Sequence, residues 1–502
     1  MKKNPPNILF IMSDDHAANA ISAYGSKVNH TPNIDRLATE GARLDRCYVT
    51  NSICTPSRGA ILTGTYNHVN RVTTLGTHID NRLPNVAKHL QYEGYQTAMV
   101  GKWHLGRGPE HCPTGFDFWS VLPGQGDYHN PSFDEMGESI QEEGYVTDVI
   151  TDKCLNWLDQ RDPEKPFFLM CHHKAPHRSW EPKAEHRSLY TDEIPRPVTF
   201  DDDYAHRAEA AAAAKMRISE DLTYQDIDLK VPENPQGEVT NEGNKVPWPD
   251  DLEGFELTCA LSGEVFTFAN HDELKKFKYQ RYMRKYLQVV HSVDENVGRL
   301  LDWLDEKELA ENTVVIYSSD QGFYLGEHGW FDKRFIYEES FQMPFLIRYP
   351  KEIQAGSVNT DMTCNVDFAA TWLDYAETTV PSYMQGRSFR QNLRGETPED
   401  WTDVAYQRYW MNRDVPHNVY AHYGIRTERY KLIYWYDQDL GQPGANPGEG
   451  KGEWELFDLD KDPLELFNLA GDPAYADTQA LMTQKLNAHM LTIGDIPVHS
   501  ID

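Results

Sequence analysis

Hydrophobic runs that stop abruptly at polar residues recur along the chain. Asn7–Ser13 is apolar almost throughout, and Asp14 and Asp15 follow at once. Residues 165–171 (KPFFLMC) and 312–319 (NTVVIYSS) repeat this arrangement and are also followed by polar side chains. Such runs are typical of parallel strands that are buried on both faces. We therefore predict a parallel sheet whose carboxyl-terminal edge, where open α/β sheets bind ligands, carries the polar residues.

Segments with helical spacing separate these strands. Thr31 and Pro32 predict a helix start, as an N-cap and a first helical residue, and Gly41 predicts its end. Residues 83–94 predict a second helix, and 273–307 predict a long third one, because apolar positions recur there at helical spacing. This alternation of strands and helices predicts a doubly wound α/β domain over residues 1–395.

Two regions depart from that alternation. Residues 201–263 begin with an alanine-rich stretch, 205–222, that predicts a helix by propensity, and then become rich in proline and glycine. We predict an irregular insertion there, which is either a surface excursion or a wall of a substrate cleft. Residues 396–502 alternate apolar and polar positions at 422–435 and have a helical pattern at 477–489. They predict a smaller C-terminal α+β subdomain with a small antiparallel sheet and a terminal helix.

The composition is that of a globular protein with a strongly acidic balance. Of the 502 residues, 39% are hydrophobic and 25% are charged, which excludes wholesale disorder, collagen and a disulfide-rich miniprotein. The net charge of −30 argues against nucleic acid and an acidic membrane surface as partners. An anionic substrate would need a local basic site to overcome this field.

The N-terminus and the cysteines are relevant to the cellular compartment in which the protein is expected. The first apolar stretch ends at Asp14 and is too short for a signal peptide, and no run approaches the ~18 residues of a membrane span. We therefore expect a cytoplasmic protein as written, or a periplasmic or secreted one from which a leader has been removed. Seven cysteines, an odd number without zinc-like spacing, predict no disulfide framework.

Cys54 stands in the most informative segment. The order Cys54-Thr55-Pro56-Ser57-Arg58 places a proline where a helix would start just past the cysteine. The positive end of that helix and the nearby Arg58 favour an anion or an activated nucleophile. Taken alone, the cysteine has a second interpretation as a small buried apolar residue.

This segment and six others resemble, in order, the formylglycine-dependent sulfatases, the arylsulfatase-type (type I) family of the alkaline phosphatase superfamily. Cys-x-Pro-Ser-Arg with the Thr-Gly at 63–64 resembles the site at which the family's cysteine is oxidised. The other matching segments are 7–15, 101–106 (GKWHLG), 175–177 (APH), 319–322 (SDQG), 332–344 and 455–463. The resemblance covers nearly the whole chain. It implies an alkaline-phosphatase-like doubly wound mixed sheet flanked by helices, with residues 1–395 as the catalytic domain.

The resemblance implies a modified residue and a metal. Family enzymes convert the cysteine at position 54 to formylglycine (3-oxoalanine), whose hydrate attacks sulfur, forms a covalent sulfate and then collapses to release it. The family also implies a divalent cation, Ca²⁺ or alternatively Mg²⁺, held by oxygen ligands. The implied ligands are Asp14, Asp15, the modified Cys54, Asp320 and Gln321. Gln321 departs from the commoner Asn and carries its amide oxygen on a longer arm.

Five further side chains have catalytic roles by resemblance. Arg58 and Lys102 would hold the formylglycine oxygens, and Lys333 would bind a sulfate oxygen. His104 would take a proton from the hydrate, and His177 would protonate the leaving alcohol. Without the family context, both histidines would be interpreted as structural.

Contacts to the substrate are expected on the loops around these residues. A packing role is the alternative for each candidate. The candidates are His78, Asp80, Asn81, His173, Arg178, Trp180, His417 and His422.

The expected function is hydrolysis of sulfate monoesters of carbohydrates. We expect exo action on fragments of glycans or polysaccharides, with N-acetylglucosamine-6-sulfate-like or algal sugars as substrates. The expected partners are this saccharide and a formylglycine-generating or anaerobic sulfatase-maturing enzyme. The alternatives are a phosphodiesterase or phosphonate monoester hydrolase of the same superfamily, and an inactive glycan-binding homologue.

Overall fold

The computed structural model describes residues 5–230 and 248–500. Its strands are β1 (Asn7–Ser13), β2 (Ala42–Leu44), β3 (Cys47–Tyr48), β4 (Gln96–Lys102), β5 (Phe118–Leu122), β6 (Ser132–Glu135), β7 (Glu138–Gln141), β8 (Phe167–His172), β9 (Leu229–Lys230), β10 (Glu256–Cys259), β11 (Val265–Thr267), β12 (Thr313–Ser319), β13 (Tyr324–Leu325), β14 (Phe331–Asp332), β15 (Phe345–Arg348), β16 (Ser357–Asn359), β17 (Thr363–Cys364), β18 (Ala405–Tyr409), β19 (His422–Arg426), β20 (Tyr430–Trp435) and β21 (Glu453–Asp458). Its α-helices are α1 (Pro32–Thr39), α2 (Cys54–Thr63), α3 (Asn67–Asn70), α4 (Val86–Tyr92), α5 (Val146–Gln160), α6 (Glu209–Ala213), α7 (His271–Glu306), α8 (Glu338–Phe341), α9 (Phe368–Tyr375), α10 (Arg390–Leu393) and α11 (Ala476–Ile493). None of the helices described has both the length and the apolar character that crossing a membrane requires.

A ten-stranded mixed sheet forms the centre of the fold, in the order β16-β2-β15-β12-β1-β8-β4-β5-β6-β7. The central strands β12, β1, β8, β4 and β5 are mutually parallel. Antiparallel pairs, β12 with β15 and β5 with β6, flank them. The three apolar runs identified in the sequence are β1, β8 and β12, which lie side by side. The predicted doubly wound mixed α/β sheet is therefore confirmed.

The side chains of β1 alternate between two apolar layers, one on each face of the sheet. Ile8, Phe10 and Met12 pack into one layer, and Leu9 and Ile11 pack into the other. Helices α1, α5 and α7 cover the Leu9 face, whereas α4 and α9 cover the Phe10 face. The central strands of the sheet are thus buried between helices on both sides.

The helix predicted over 205–222 is wrong except at α6. Backbone N–H groups on either side of α6 bond to other segments instead of to the preceding turn. The N–H of Ala208 donates to Glu455 Oε1 at 2.7 Å, and that of Lys215 donates to the carbonyl of His417 at 2.7 Å. These tertiary bonds override the helical propensity of alanine.

The remainder of the predicted insertion, 201–263, is described only in part. Its residues 231–247 lie outside the described residues. The parts on either side contribute β9 and β10, which form a three-stranded antiparallel sheet with β11. The insertion is therefore not irregular throughout.

The C-terminal part contains a four-stranded antiparallel sheet, β18-β19-β20-β21, with α11 packed on β19 and β20. The predicted alternation at 422–435 corresponds to the hairpin of β19 and β20. This sheet lies against the segment that follows β14, because Gln407 Nε2 donates to the carbonyl of Arg334 at 3.2 Å. It therefore borders the carboxyl-terminal edge of the central sheet.

Candidate active site

Four parallel strands deliver polar residues to one edge of the central sheet. Asp14 and Asp15 follow β1, and Asp320 follows β12. The loop after β8 carries His177, and Lys102 is the last residue of β4. Because these strands are parallel and adjacent, their carboxyl ends meet at the same edge. Each of these five residues is at most 9% exposed. The group they form is therefore shielded from solvent.

Cys54 is the first residue of α2 and adjoins this group. It is 1% exposed, and its Sγ lies within 4.8 Å of a carboxylate oxygen of Asp14 and a ring nitrogen of His177. Burial, opposed in part by the Lys333 ammonium, raises the pKa of the thiol to about 11. A thiol that stays protonated at neutral pH is a weak nucleophile. This environment is consistent with the expected conversion of Cys54 to an aldehyde.

Three carboxylates and one amide form a compact oxygen cluster. Asp14, Asp15 and Asp320 each place an oxygen within 4.8 Å of the others, and Gln321 Nε2 donates to Asp15 Oδ1 at 2.5 Å. Asp14 Oδ1, Asp15 Oδ2 and Gln321 Oε1 are buried and accept no hydrogen bond from any described residue. Burial, countered by Lys333 and reinforced by Asp320, raises the pKa of Asp15 to about 6. Free oxygens on buried carboxylates fit a hard divalent cation, which these four residues would hold.

Three buried cations surround the oxygen cluster. Arg58 donates from Nε and Nη2 to Asp320 Oδ2, at 3.0 and 2.9 Å, and from Nη1 to the carbonyl of Lys102 at 2.6 Å. Lys333 Nζ lies 2.5 Å from Asp15 Oδ1. Burial lowers the pKa of Lys102 well below its usual value. Fixed donors in a water-excluding pocket are suited to stabilise an oxyanion.

Two histidines complete the centre of the site. The Nδ1–H of His177 donates to the carbonyl of Arg178 at 2.6 Å, so Nε2 is left to exchange a proton, and it lies 3.8 Å from Asp15 Oδ2. His104 Nδ1 lies 3.3 Å from Thr55 Oγ1. Burial, reinforced by nearby cations, lowers the pKa of both imidazoles well below the usual value. Both rings are therefore neutral at pH 7 before a substrate anion arrives.

A second network of buried charges borders the site at the end of β14. Arg178 Nη2 lies 3.0 Å from His417 Nε2. His417 Nδ1 donates to Asp414 Oδ2 at 2.6 Å, its Nε2 is 3.3 Å from Asp332 Oδ2, and Arg334 Nη1 is 3.6 Å from Asp414 Oδ2. Of these residues, only Arg178 and His417 were predicted from the sequence. Asp332, Arg334 and Asp414 were missed; the first two adjoin the predicted catalytic Lys333, which is the one signal that the sequence offers for them.

A cavity of ≈ 630 Å³ opens beside His104. Thr55 and His104 contribute to its wall, and so does His78, a predicted substrate contact. Arg107 also lines it, is exposed, and makes no ion pair or hydrogen bond with any described residue. The apolar part of the wall includes Trp103, Trp119, Val121, Leu122 and Phe133. The cavity thus joins an aromatic surface to the exposed guanidinium of Arg107, and Asp134 also lines it.

Three predicted substrate contacts do not line the cavity beside His104, and their side chains are buried. Trp180 is 0% exposed and donates from Nε1 to the carbonyl of Pro176 at 2.5 Å. His173 is also fully buried. His422 packs in the C-terminal sheet with its ring centroid 4.3 Å from that of Trp435, and burial lowers its pKa to about 3. Each of these side chains packs against neighbouring residues, and its contact with a substrate stays a prediction.

Two further predicted contacts remain on the surface. Asp80 forms an ion pair with Arg82 at 2.6 Å, and Asn81 Nδ2 donates to the carbonyl of Pro109 at 2.7 Å. Neither residue lines the cavity that includes His78. The structure therefore does not bring Asp80 and Asn81 to the site.

Residues on the loop after β5 support the site without having been predicted. Lys102 Nζ donates to Gln125 Oε1. Tyr128 OH donates to the carbonyl of His177 at 2.6 Å. No spacing or charge pattern distinguishes Gln125 or Tyr128 in the sequence, because their roles depend on contacts between distant segments.

Two family profiles match the chain. The profile described as Sulfatase matches residues 6–378, and the profile described as N-sulphoglucosamine sulphohydrolase, C-terminal, matches residues 326–491. The first spans more than half of the chain and includes every residue from Asp14 to Lys333. The catalytic and metal-ligand residues predicted from the resemblance thus all fall within it.

Curated relatives extend the match over the whole length. An N-acetylglucosamine-6-O-sulfatase of Bacteroides thetaiotaomicron is 44% identical over 494 residues, which cover 96% of this chain and 85% of that protein. An arylsulfatase of Clostridium perfringens is 25% identical over 517 residues, which cover 94% of this chain and 92% of that protein.

Solved structures agree in fold. One described as being in complex with its substrate, D-glucosamine-2-N,6-O-disulfate, superposes with a TM-score of 0.85 at 42% identity and covers 98% of each chain. The phosphonate monoester hydrolase of Agrobacterium radiobacter superposes with a TM-score of 0.70 at 20% identity, covering 97% of this chain and 96% of that chain, which shows a shared fold alone. The sequence match and the closely similar structure agree with the site geometry: the chain belongs to the sulfatase family, the type I sulfatases of the alkaline phosphatase superfamily, whose members use formylglycine and a divalent metal, and it is a sulfuric ester hydrolase.

Proposed function

We propose that this sulfatase removes the 6-O-sulfate from a glucosamine residue at the end of a sulfated glycan. The observation that carries the proposal is the 44% identity, across 96% of this chain, to an N-acetylglucosamine-6-O-sulfatase. The similar structure with D-glucosamine-2-N,6-O-disulfate, at 42% identity, supports the same sugar. A sulfated carbohydrate is then the substrate class.

The depth of the site supports a primary sulfate ester. Cys54 is 1% exposed, and Lys102 and Asp320 are 0% exposed. A sulfate must reach these residues while the sugar ring stays nearer the surface. A sulfate on the exocyclic C6 stands one carbon further from the ring than a sulfate on a ring hydroxyl. It therefore enters such a pocket with less displacement of the walls.

The buried charge network at the end of β14 supports recognition of a chain end. Its residues Asp332, Arg334, Asp414 and His417 are each at most 3% exposed, so they form a closed wall through which a saccharide cannot continue. The same wall carries both donors and acceptors, as recognition of sugar hydroxyls requires. A terminal ring that meets this wall fits exo action.

The cavity beside His104 supports binding of a further sugar. It offers an aromatic wall that includes Trp119, and the cation of Arg107. A carboxylate or sulfate on the next sugar would pair with this guanidinium, which offsets locally the net charge of −30. The proposed substrate is thus a short anionic oligosaccharide with its sulfated end in the deep site.

The side chains support the roles that the family implies. Formylglycine at position 54 would supply, as its hydrate, the oxygen nucleophile. Arg58 and Lys102 would hold the formylglycine oxygens, and Lys333 would stabilise charge on a sulfate oxygen. His177, with Nδ1–H held on a backbone carbonyl, is placed to give a proton from Nε2 to the leaving sugar oxygen. Its lowered pKa makes its protonated form a stronger acid.

Ca²⁺ is the proposed cation, because every donor in the cluster is oxygen. Asp14, Asp15, Asp320 and Gln321 would hold it, through oxygens that otherwise lack partners or face other carboxylates. A bound divalent cation supplies positive charge beside the sulfate and favours ionisation of a coordinated hydroxyl.

The burial of Cys54 bears on how the residue is modified. At 1% exposure, its Sγ is out of reach of another enzyme in the folded protein. We therefore propose that a formylglycine-generating or anaerobic sulfatase-maturing enzyme acts before the chain has folded around α2.

Sulfate release from defined monosaccharides tests the proposed function. After mass spectrometry has verified formylglycine at position 54, N-acetylglucosamine 6-sulfate and glucosamine-2-N,6-O-disulfate should both lose the 6-sulfate. N-sulfoglucosamine and N-acetylglucosamine 3-sulfate should stay intact by ion chromatography. Cys54→Ala, purified identically, controls for contaminating activity. Preferential loss of the N-sulfate, or faster hydrolysis of a nitrophenyl phosphate diester than of the matching sulfate, would contradict the proposal.

A further inference from the structure

Two histidines and a glutamate converge on α7, away from the active site. His291 and Glu295 stand one helical turn apart on α7. His186 comes from a short 3₁₀ turn, Ala184–Ser188, that packs against this helix. One nitrogen or oxygen atom of each residue lies within 4.8 Å of the other two. None of the three was predicted from the sequence as a site residue, and the proposed hydrolysis does not use them.

We propose that His186, His291 and Glu295 form a second metal site, which binds Zn²⁺ or a related transition-metal ion. His186 Nε2 lies 3.2 Å from Glu295 Oε2, and His291 Nε2 lies 3.6 Å from Glu295 Oε1. Ligand bonds of ~2.0–2.1 Å in a tetrahedron put neighbouring donor atoms about 3.3 Å apart. Each imidazole nitrogen is thus within about 0.3 Å of that spacing from one oxygen of Glu295, and the two nitrogens lie within 4.8 Å of each other.

Ser292 orients one of the ligands. His186 Nδ1 lies 2.9 Å from Ser292 Oγ. When Nδ1–H donates to this hydroxyl, the lone pair of the imidazole is on Nε2, which faces Glu295. Metal-binding histidines are commonly held in this way by a partner on their second nitrogen. Burial lowers the pKa of His186, which keeps the ring neutral and able to ligate.

The exposure of the three residues suits entry of an ion. His186 is 4% exposed, whereas the side chains of His291 and Glu295 are 34% and 42% exposed. The cluster is thus closed on the side of the 3₁₀ turn and open on the other. A water molecule on the open side would complete a four-coordinate site.

Lys183 is the competitor that the ion must displace. Its Nζ lies 3.5 Å from Glu295 Oε2 but only 2.8 Å from Asp148 Oδ2. Because the closer partner is Asp148, a metal that takes Glu295 removes one long contact and leaves the shorter one intact. Removal of the ammonium should therefore strengthen metal binding.

The donor chemistry separates this site from the active site. Two imidazoles and one carboxylate favour borderline ions such as Zn²⁺, whereas the all-oxygen cluster around Asp15 favours Ca²⁺. A bound ion would tie the 3₁₀ turn, which follows the loop of His177, to α7. The site is thus structural in effect and measurable without an assay of hydrolysis.

A spectroscopic titration tests the proposal. The protein is first depleted of metal, saturated with Ca²⁺ so that the oxygen cluster is filled, and then titrated with Co²⁺. We expect one equivalent to bind with the intense visible absorption of four-coordinate cobalt, and one equivalent of Zn²⁺ to abolish that absorption. Absence of such a band, or only the weak band of six-coordinate cobalt, would overturn the proposal.

Matched variants locate the ion. His291→Ala and Glu295→Gln should each weaken Co²⁺ binding at least ~10-fold, and Lys183→Met should tighten it. His30→Ala, a change at an exposed histidine outside the cluster, should bind like the unaltered protein. Because Lys183→Met is expected to bind Co²⁺ more tightly, a general loss of folding in the variants could not produce the same set of results. Equal binding by His291→Ala and the unaltered protein would refute the assignment.

Discussion

Lys333 Nζ lies 2.5 Å from Asp15 Oδ1, while the second oxygen of that carboxylate accepts no hydrogen bond within the described parts of the chain. The pair joins the segment after β14 to the end of β1. In the proposed mechanism one carboxylate thus has two roles: its Oδ1 holds the ammonium that would bind the sulfate, and its Oδ2 would bind the cation. The Asp15 carboxylate therefore fixes the position of Lys333, which we propose binds the sulfate.

Lys333→Met should lower kcat for N-acetylglucosamine 6-sulfate by roughly 10²–10³-fold, because one fixed donor to the developing charge is lost. Ca²⁺ should remain bound, since loss of a neighbouring cation does not weaken an anionic site. Sulfate release and the calcium content of the purified protein measure the two effects. Lys27→Met, a change at an exposed lysine, is the control. A loss below about 3-fold would remove Lys333 from the mechanism.

Gln321 gives a graded test of the oxygen cluster. Its Nε2 is bonded to Asp15 Oδ1, so Oε1 is directed away from that carboxylate and is free. Gln321→Leu should weaken Ca²⁺ binding by about 10-fold or more, because a ligand oxygen is lost. Gln321→Asn keeps the amide and should weaken it less. Competition with a fluorescent chelator measures both affinities, and equal affinities in the two variants would mean that Oε1 is not a ligand.

Strand-end residues were the predictable part of the fold and site. β1, β8 and β12 are continuous apolar runs, so their ends, and with them Asp14 and Asp320, follow from local pattern and the parallel arrangement. The direction of a loop side chain does not follow from local pattern. Trp180 and His422 are as polar at their tips as many ligand-binding residues, yet tertiary packing turns both into the core.

The contacts in the network around His417 could not be predicted from the sequence. Asp332 and His417 are 85 positions apart but lie 3.3 Å from each other, because the C-terminal sheet folds back onto the segment after β14. Contacts of this kind depend on how two sheets dock. Neither residue type nor spacing reveals which carboxylate a buried histidine will meet.

His177→Ala should distinguish substrates by their leaving groups. A sugar alkoxide is a poor leaving group and needs the proton from Nε2, so turnover of N-acetylglucosamine 6-sulfate should fall by roughly 10²–10⁴-fold. Nitrophenolate leaves without protonation, so turnover of 4-nitrophenyl sulfate should fall by less than about 10-fold. The ratio of the two kcat values is the measurement. Equal losses on both substrates would show that His177 does not act as the acid.

His417→Ala should affect sugar recognition rather than chemistry. The ring lies 3.0 Å from Arg178 and 3.3 Å from Asp332, so its loss releases both from the proposed wall. KM for N-acetylglucosamine 6-sulfate should rise about 10-fold or more, whereas KM for 4-nitrophenyl sulfate, which has no sugar hydroxyls, should change little. His129→Ala, at an exposed position, is the control. A similar rise on both substrates would assign His417 to folding of the site.

Lys174 provides a prediction about stability and pH. It is 4% exposed, its Nζ lies 4.4 Å from the centroid of the Tyr128 ring, and burial lowers its pKa to about 8. Since the folded-state pKa is below the usual 10.5, the folded protein binds this proton less tightly than the unfolded chain. The ammonium is therefore destabilising at pH 7, and this cost is relieved as the pH rises from about 8 to 10.5.

Lys174→Met should raise the free energy of unfolding at pH 7, by on the order of 1–3 kcal/mol, and lose this advantage near pH 10. Thermal melts of the metal-loaded protein at both pH values measure the difference, with the exposed-site variant Lys165→Met as control. A variant less stable than the unaltered protein at pH 7 would show that contacts of the ammonium outweigh its burial.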